Sequence, residues 1–436
     1  MGGTSRDPGH PFAGRPDMGG LATPSIAMSI TVTPPCDVSI IMPCLDEART
    51  IADCVANARA ALEEIRRRYG LSGEVLVADN GSRDGSVALA TEAGARVVAV
   101  PDKGYGNCLI GGFRAAAGRY LVMGDADGSY DFRESVAMVG KLIEGHALCF
   151  GTRLRGRIMP GAMPLKNRYI GNPALTGILN LLFRSRLSDA HSGMRALTRE
   201  AFDTLRLTSP GMEFASEMLI KASLMDLPRT EVPITLHPDK RGRPPHLRPW
   251  RDGWRHLRYI LILAPDRLFL WPALVMGILA MSLALPILLL EEGARIGHFI
   301  FGPHWMIMAC TGAVISHILL LFGMAGLIYG VQAGYRKPPG WWPLIARFST
   351  LESSLMIGGA ITMAGLAGII AITLDWIGVD FASPNKIREL VASCALLVIG
   401  VQHMFGGFLL AIIGGNRADY LSAAARTPSK NGLHDV

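Results

Sequence analysis

Short apolar runs that end at polar or glycine-containing turns begin at residue 38 and continue to about residue 151. They predict five strands, over residues 38–43, 74–79, 96–100, 120–124 and 147–151. Helix-like segments lie between several of these runs, notably over 51–68 and 132–144. Helices alternating with fully apolar strands are typical of a mainly parallel sheet covered on both faces. Because such sheets bind ligands beyond the carboxyl ends of their strands, polar residues at those ends are the candidates for function.

The second half of the chain has a different pattern. Four stretches contain no Asp, Glu, Lys or Arg, over residues 268–290, 304–330, 353–374 and 390–416. At about 1.5 Å per residue, each is long enough to cross a hydrocarbon core of about 30 Å. Buried helices of a soluble core are the alternative, but four such stretches in succession favour an all-α transmembrane domain over residues 268–416.

The loops between these stretches differ in charge. The second loop carries Arg336, Lys337 and Arg347, and the tail 417–436 is also basic, whereas the first and third loops have no such excess. Cytoplasmic loops are enriched in Lys and Arg. We therefore predict an inner (plasma) membrane protein whose termini and α/β domain are cytoplasmic.

An arginine-rich segment precedes the first stretch. Over residues 246–267 it places Trp250, Trp254, Leu257 and Leu261 at helical spacing among arginines. A basic helix with one apolar face is typical of a segment that lies in the headgroup region of a membrane. We expect an amphipathic interfacial helix that links the α/β domain, residues 36–245, to the transmembrane domain.

Composition supports this division. Half of the 436 residues are hydrophobic and 18% are charged, which favours a membrane protein over a large soluble enzyme. The net charge is +7, and the arginines ahead of the hydrophobic part favour an anionic membrane or a phosphate-bearing substrate over nucleic acid. The seven cysteines show no metal or disulfide spacing. Residues 1–35, rich in Gly and Pro, are expected to be a disordered extension, or to lie upstream of a true start near Met28.

The segment most informative about chemistry is Asp125-Ala-Asp127, which follows the predicted strand 120–124. Two carboxylates at the carboxyl edge of a sheet suit Mg²⁺ or Mn²⁺, which bind hard oxygen ligands and substrate phosphates. A bound metal neutralises charge that develops on a departing nucleoside diphosphate. An isolated Asp-x-Asp is more often a solvated acidic turn, so its weight depends on the neighbouring strand ends.

Three further loops carry candidate residues for binding a nucleotide-sugar. They are Pro43, Asp46 and Glu47 after the first strand, Asp79, Asn80 and Gly81 after the second, and Lys103 and Gly104 after the third. A carboxylate suits a base edge or ribose hydroxyl, and glycines permit tight turns close to a ligand. The lysine-glycine loop ahead of a helix suits a diphosphate, although an ordinary turn before a capped helix fits it equally.

In their order and spacing these segments resemble glycosyltransferase family 2, the inverting nucleotide-sugar transferases with a GT-A fold. The resemblance covers residues 37 to about 240. Within the family, the chain looks most like polyprenyl-phosphate glycosyltransferases, including dolichol-phosphate mannose synthases, because Asp189-Ala-His-Ser-Gly-Met-Arg195 is similar to their Ser-Gly-Phe-Arg motif. Some of those enzymes also have four C-terminal spans.

The resemblance implies a role for each matched residue. The implied roles are nucleotide contacts for Asp46 and Asp79, ribose, metal and diphosphate binding for Asp125 and Asp127, lipid-phosphate binding for Arg153 and Arg168, and catalysis by Asp127, Arg153 and Arg195. Arginine suits phosphate because its planar fork binds two oxygens at once. Ser129 departs from the pattern, since those enzymes often carry a metal-binding Gln there. The Gln-x-x-Arg-Trp motif of processive polysaccharide synthases is absent, which argues against a polymerase.

We therefore predict an inverting, metal-dependent glycosyltransferase of cell envelope biogenesis that moves a sugar from a nucleotide-sugar to polyprenyl phosphate. Two alternatives stay open. One is transfer to a lipid hydroxyl of ceramide or diacylglycerol type, with Asp189, Glu213 or Glu217 as the base. The other is a non-catalytic nucleotide-binding membrane scaffold. The sugar, the nucleobase and any homo-oligomer do not follow from the sequence.

The predicted orientation is testable with glycosylation acceptor sites engineered into each loop. We expect modification in the first and third loops and none in the second, because only the second carries the cytoplasmic excess of basic residues. Modification of the second loop would contradict the orientation.

Overall fold

The computed structural model describes residues 36–242, 249–289, 295–296, 298–300, 302–346, 349–380 and 386–421. The predicted disordered extension 1–35 lies outside the described residues, as do Arg243, Arg248 and Arg347 and most of the tail.

Seven strands form one sheet in the order β3-β2-β1-β4-β6-β5-β7. Their bounds are β1 (Val38–Cys44), β2 (Gly73–Asp79), β3 (Arg96–Ala99), β4 (Tyr120–Met123), β5 (Leu148–Ile158), β6 (Arg195–Thr198) and β7 (Arg229–Leu236). Only β6 runs antiparallel to its neighbours, so the prediction of a mainly parallel sheet is confirmed. The strands β6 and β7 were not predicted, because they lack the long apolar runs of the central strands.

Helices cover both faces of this sheet. They are α1 (Ile51–Tyr69), α2 (Ser86–Glu92), α3 (Tyr105–Ala115), α4 (Ser135–Ile143), α5 (Asn172–Phe183), α6 (Arg199–Leu205), α7 (Phe214–Leu224) and α8 (Pro249–Ile262). Successive side chains of a strand point to opposite faces, so Ile40 packs in the core beneath α1 and α4 while Ile41 packs beneath α3 and α7. Both faces of the central strands are therefore buried and mainly apolar, which is the pattern that predicted them.

The helix α8 belongs to the core of the sheet on one side and is open on the other. Ile260 is fully buried in the core shared with α3 and α7, whereas Trp254 is 60% exposed and Ile262 is 62% exposed. This two-sided pattern agrees with the amphipathic helix expected between the two domains. The helix packs against α7, in which the ion pair between Glu217 and Lys221 (2.7 Å) is itself buried.

A second exposed apolar surface lies around α5 and was not predicted. A π-helical turn, Asn167–Gly171, leads into α5. Leu165, Tyr169, Ile170 and Leu181 in this segment are each at least 66% exposed. Like the open side of α8, this surface has the composition of a helix that meets lipid.

Four of the helices that follow are long and apolar enough to cross a membrane, and the prediction of four spans is confirmed. They are α9 (Trp271–Leu289), α10 (Pro303–Gln332), α12 (Leu351–Gly378) and α13 (Ile387–Ile413). The first loop contains a two-stranded pair, β8 (Arg295–Ile296) with β9 (Phe299–Ile300), and the second contains the short helix α11 (Trp342–Ala346). Trp342 of α11 donates from Nε1 to the carbonyl oxygen of Leu421 (2.8 Å) and closes this side of the bundle.

Helices α12 and α13 approach each other through glycines. A Cβ added to Gly358 would lie 2.8 Å from the carbonyl oxygen of Gly400, and one added to Gly365 would lie 2.5 Å from the nitrogen of Leu397. Lipid provides no hydrophobic force between helices, so close backbone packing has to hold them together.

We predict that Gly365→Leu lowers the melting temperature of the protein in detergent. The added side chain would separate α12 from α13 at a cost of about 1–3 kcal/mol. Gly359→Leu is the matched control, because a Cβ there meets no atom within 4 Å. Equal melting temperatures for the two variants would contradict the packing described here.

Candidate functional site at the carboxyl ends of the strands

The loops that follow β1 and β2 meet the segment after β7 at one cleft. Its volume is about 320 Å³, and its lining residues are Asp46, Glu47, Ala48, Arg49, Asp84, Arg241 and Gly242. Asp46 and Glu47 were predicted to bind the donor and do line this cleft. Asp84 and Arg241 were not predicted as site residues, although Asp84 lies in the turn after β2 and Arg241 lies in the basic run after the last strand.

The carboxylates of Asp46 and Asp79 hold the turn between β2 and α2. Asp79 is 8% exposed and accepts hydrogen bonds from the backbone nitrogens of Gly81 (3.0 Å) and Ser82 (3.1 Å). Asp46 accepts from the nitrogen of Arg83 (2.8 Å). Pro43 lies inside β1, paired with Ala78 of β2. The protein's own backbone therefore engages both carboxylates.

The loop before α3 is fixed to the same turn by Asn80. The Asn80 amide donates to the carbonyl oxygens of Val100 (3.0 Å) and Asp102 (2.8 Å), and its oxygen accepts from the nitrogen of Gly104 (3.0 Å). Lys103 donates from Nζ to the carbonyl oxygen of Asn80. Gly81 has a φ of +93°, and a side chain there would collide with Lys103. The predicted diphosphate loop thus has a defined position beside the cleft.

Asp125 and Asp127 follow β4 and form the acidic centre of the site. The Tyr105 hydroxyl donates to Oδ1 of Asp125 (2.9 Å). The nitrogen and hydroxyl of Ser129 donate to Oδ1 of Asp127 (2.9 and 2.5 Å). Burial and the neighbouring charge of Asp127 raise the pKa of Asp125 to about 6. A buried carboxylate that lies beside a second negative charge makes a site that attracts a cation.

Arg241 supplies positive charge to this centre. Its guanidinium donates to Oδ2 of Asp127 and lies 3.4 Å from Oε1 of Glu47. The segment around it is held in place by backbone hydrogen bonds from His237 to Ser129 (2.9 Å) and from Lys240 to Asp127 (3.0 Å). The strand end with the paired carboxylates and the segment after β7 therefore form one unit.

The donor atoms at this centre fit a divalent cation that takes its other ligands from phosphate. Within the described ranges, no three His, Cys, Asp or Glu side chains are grouped to hold a metal ion by themselves. Asp125 and Asp127 offer two carboxylates, and Mg²⁺ typically uses one or two together with substrate phosphates and water. The attraction of Asp127 for the Arg241 guanidinium is consistent with a site that requires positive charge.

Arg153 forms a buried ion pair beside this centre. Its Nε and Nη2 donate to the two carboxylate oxygens of Asp189 (2.7 and 2.9 Å). The side chain of Arg153 is 10% exposed and that of Asp189 is 0% exposed. Burial alone would raise the pKa of Asp189, but the bonds from Arg153 hold it below the ordinary value of a carboxyl. The pair ties β5 to the loop before β6.

Arg195 and Arg168 lie in surroundings that differ from each other. Arg195 is 1% exposed and donates to the carbonyl oxygens of Ser192 (3.0 Å), Ala215 (2.6 Å) and Ala190 (2.8 Å). All three of its nitrogens are thus used to hold the backbone around the site. Arg168 lies on the π-helical turn before α5, with its guanidinium 5.4 Å from the ring centroid of Tyr169. It is the candidate phosphate ligand nearest to the exposed apolar surface around α5.

Two histidines connect the site to α8. The rings of His191 and His256 meet edge to face at 5.1 Å, and Nδ1 of His256 lies 2.8 Å from the hydroxyl of Ser216. Burial and the charges of His256 and Arg195 lower the pKa of His191 to about 3, so the ring is neutral at physiological pH. No role was predicted for His191, since a histidine inside a loop motif carries no periodic signal.

Two regions of the chain match described families. Residues 39–206 match Glycosyl transferase family 2, and residues 324–414 match the Glycosyltransferase family 2 C-terminal transmembrane region. The chain is 38% identical over 384 residues to the low-salt glycan biosynthesis hexosyltransferase Agl6 of Haloferax volcanii, covering 86% of this chain and 89% of that protein.

A more distant relative and a solved structure also match. The chain is 27% identical over 222 residues to the dolichol-phosphate mannosyltransferase of Mycosarcoma maydis, covering 48% of this chain and 73% of that protein. Glucosyl-3-phosphoglycerate synthase from Mycobacterium tuberculosis, crystallised with Mn²⁺, UDP and glucosyl-3-phosphoglycerate, matches at 22% identity with a TM-score of 0.40. That match covers 52% of this chain and 78% of the synthase chain.

We predict that Arg153→Gln destabilises the protein by about 3–5 kcal/mol, because it leaves the buried charge of Asp189 without its partner. The melting temperature in detergent measures the effect. Arg155→Gln is the control on the same strand: its side chain is 66% exposed and 3.6 Å from Glu231, and such surface pairs contribute little. If both variants melted like the wild type, the pair would have no structural role.

Proposed function

Because the chain belongs to glycosyltransferase family 2, we propose that it transfers a sugar from a nucleotide-sugar to a membrane lipid with inversion, and that the acceptor is a polyprenyl phosphate. The single observation that carries this proposal is the position of Asp125 and Asp127. They lie at the end of β4, on a sheet whose core includes Ile260 of α8, and α8 leads into the first apolar span. The residues proposed to bind the donor and the helix that leads into the first span thus belong to one folded unit.

The donor is proposed to bind in the cleft lined by Asp46, Glu47 and Arg241. The nucleotide would lie against the turn held by Asp79 and the diphosphate against the loop that Asn80 holds. The hexosyltransferase named among the relatives supports a hexose as the transferred sugar.

We infer that Asp125 and Asp127 hold Mg²⁺ or Mn²⁺ when the donor binds. A metal there would neutralise charge on the leaving nucleoside diphosphate. Tyr105 and Ser129 orient the two carboxylates by hydrogen bonds. Related enzymes often have a metal-binding Gln at the position of Ser129, and here Ser129 would orient Asp127 instead of binding the metal through a side-chain amide. Arg241 supplies a second positive charge at the same place and suits the diphosphate, because a guanidinium binds phosphate oxygens in pairs.

The acceptor phosphate is proposed to attack the anomeric carbon in line. Its oxygen forms the new bond to that carbon while the bond from the carbon to the diphosphate oxygen breaks, and the nucleoside diphosphate leaves. A phosphate is already anionic near neutral pH, so little help from a base is required. The protein then has to position the two reactants and to stabilise charge.

Support for a phosphate acceptor comes from the surroundings of the candidate bases. Asp189 is paired with Arg153, and Glu217 is paired with Lys221 (2.7 Å), so neither carboxylate is available to take a proton. Dolichol-phosphate enzymes among the relatives point to the same acceptor class. Arg153 and Arg168 are the proposed acceptor-side arginines. Arg195 is proposed to position the loop between them and the donor.

A lipid hydroxyl remains the second candidate acceptor, because of Glu213. Its Oε1 accepts from the nitrogen of Gly211 (3.3 Å), while its Oε2 is buried without a hydrogen-bond partner among the described residues. A carboxylate oxygen of this kind suits a general base. We also propose that the protein lies in the inner membrane with its α/β domain on the cytoplasmic side, and that it can form a homo-oligomer.

The test is to incubate the full-length protein in membranes with a panel of radiolabelled nucleotide-sugars, with Mn²⁺ or EDTA, and to extract the lipids. We expect metal-dependent transfer to added polyprenyl phosphate, giving a product that mild acid cleaves because it is a glycosyl phosphodiester. An acid-stable product would favour the hydroxyl acceptor, and transfer to no lipid with any donor would count against both.

Asp127→Asn is expected to lower the transfer rate at least about a hundredfold, because a site that stabilises charge in the transition state loses one of two carboxylates. Asp203→Asn is the matched control, since Asp203 is an exposed acidic residue on α6, outside the loops that form the site. Turnover of Asp127→Asn like that of the wild type would contradict the enzymatic proposal and leave the scaffold alternative.

A further inference from the structure

A second large cavity lies where the α/β domain meets the membrane helices. Its volume is about 600 Å³, and it opens between the start of α9, the end of α10 and the end of α7. Its charged lining residues are Arg184, Asp226, Asp266, Arg267, Arg336 and Lys337. We call it the junction cavity. Nothing in the proposed transfer reaction uses it.

Positive charge dominates the junction cavity, with four basic side chains against two acidic ones. Arg336 is 10% exposed and donates from Nη2 to Asp266 (3.0 Å), but its Nη1 is buried without an acceptor in the described part of the chain. Nε of Arg267 is likewise buried and unsatisfied within the described ranges. A buried, unsatisfied donor on a charged group is costly, so these two arginines favour an anionic ligand that accepts their hydrogen bonds.

The other side of the junction cavity is apolar and open to the region where lipid would lie. Trp271 is 53% exposed and Leu274 is 54% exposed, and both begin the first span. Trp341 also lines the cavity, and the guanidinium of Arg267 lies 5.6 Å from the ring centroid of Trp271. Tryptophan and arginine at the end of a span are typical of the headgroup level of a bilayer. A ligand here would have a charged head and an apolar continuation.

We propose that the junction cavity binds the phosphate of an anionic phospholipid headgroup. The phosphodiester oxygens would accept from Arg336 and Arg267, and the first carbons of the acyl chains would lie along Trp271 and Leu274. Basic pockets between membrane helices are suited to such headgroups. Lys337 would attract the same phosphate charge electrostatically, and its Nζ lies 3.9 Å from Asp226, just after α7.

This site is separate from the acidic centre that binds the donor. The helix α7 begins beside the carbonyl that Arg195 holds and ends beside the junction cavity, and its 11 residues span roughly 16 Å. A bound lipid would therefore join the α/β domain to the spans without occupying the place of a substrate. The nitrogen of Lys337 donates to the carbonyl oxygen of Leu224 (3.3 Å), so the loop after α10 already contacts that end of α7.

The test measures lipid binding to the delipidated full-length protein by native mass spectrometry, with no sugar donor present. Phosphatidylglycerol is the probe, phosphatidylcholine with the same acyl chains is the zwitterionic comparison, and inorganic phosphate is the free-ion comparison. We expect phosphatidylglycerol to bind at least about tenfold more tightly than phosphatidylcholine. The double variant Arg267→Gln and Arg336→Gln should weaken it at least about tenfold.

Two further variants keep this test decisive if the double variant folds poorly. Lys337→Gln removes an exposed charge of the cavity and should weaken phosphatidylglycerol binding about threefold. Arg417→Gln is the matched control, an exposed arginine after α13 at the same end of the bundle but outside the cavity, and should change binding less than about twofold.

Equal binding of the two phospholipids, or wild-type binding by both cavity variants, would overturn the proposal. Displacement of phosphatidylglycerol by millimolar inorganic phosphate would assign the cavity to a free anion instead. Competitive inhibition of sugar transfer by phosphatidylglycerol would place the cavity in the acceptor site. Since binding is measured without a donor, failure of the transfer reaction would leave this result unaffected.

Discussion

A shared apolar core fixes the position of the strand ends relative to α8, which leads into the first apolar span. Ile41 of β1, Phe214 of α7 and Ile260 of α8 all lie in this core, so the sheet and α8 cannot move apart without exposing it. The helix α7 is buried between them, which is why its Glu217 and Lys221 have to neutralise each other. The position of the strand ends relative to the apolar spans depends on this joint burial.

Charge is arranged around that frame in three buried groups. Asp125 and Asp127 concentrate negative charge at the end of β4, and Arg241 offsets part of it. Arg153 and Asp189 neutralise each other one strand further on. Arg195 has no carboxylate partner in the described ranges and is satisfied by three carbonyl oxygens instead. The three guanidinium groups thus have different roles: that of Arg241 offsets the charge of the acidic centre, that of Arg153 forms an ion pair, and that of Arg195 holds the backbone.

Signal strength explains which elements could be predicted. The strands β1, β2, β4 and the start of β5 were recognised because most of their side chains are buried on both faces, which leaves continuous apolar runs, and the four spans showed the same signal at greater length. The edge strand β3 is only partly buried and was recognised from the short apolar run that it shares with Val100. The strands β6 and β7 were missed, because β6 begins with the arginine that holds the loop and β7 contains Glu231 and Pro233. The exposed apolar surface around α5 was missed because its spacing is interrupted by the π-helical turn.

The sequence by itself determined the fold class, the four spans, the acidic centre and the family, because each depends on residue type and spacing along the chain. Only the tertiary structure decided which candidate side chains are free to meet a ligand. Asp79, Asn80 and Arg195 are used by the protein's own backbone, while Arg241, distant in sequence, reaches Asp127. Hydrogen-bond partners are set by contacts between distant segments, and no local pattern records them.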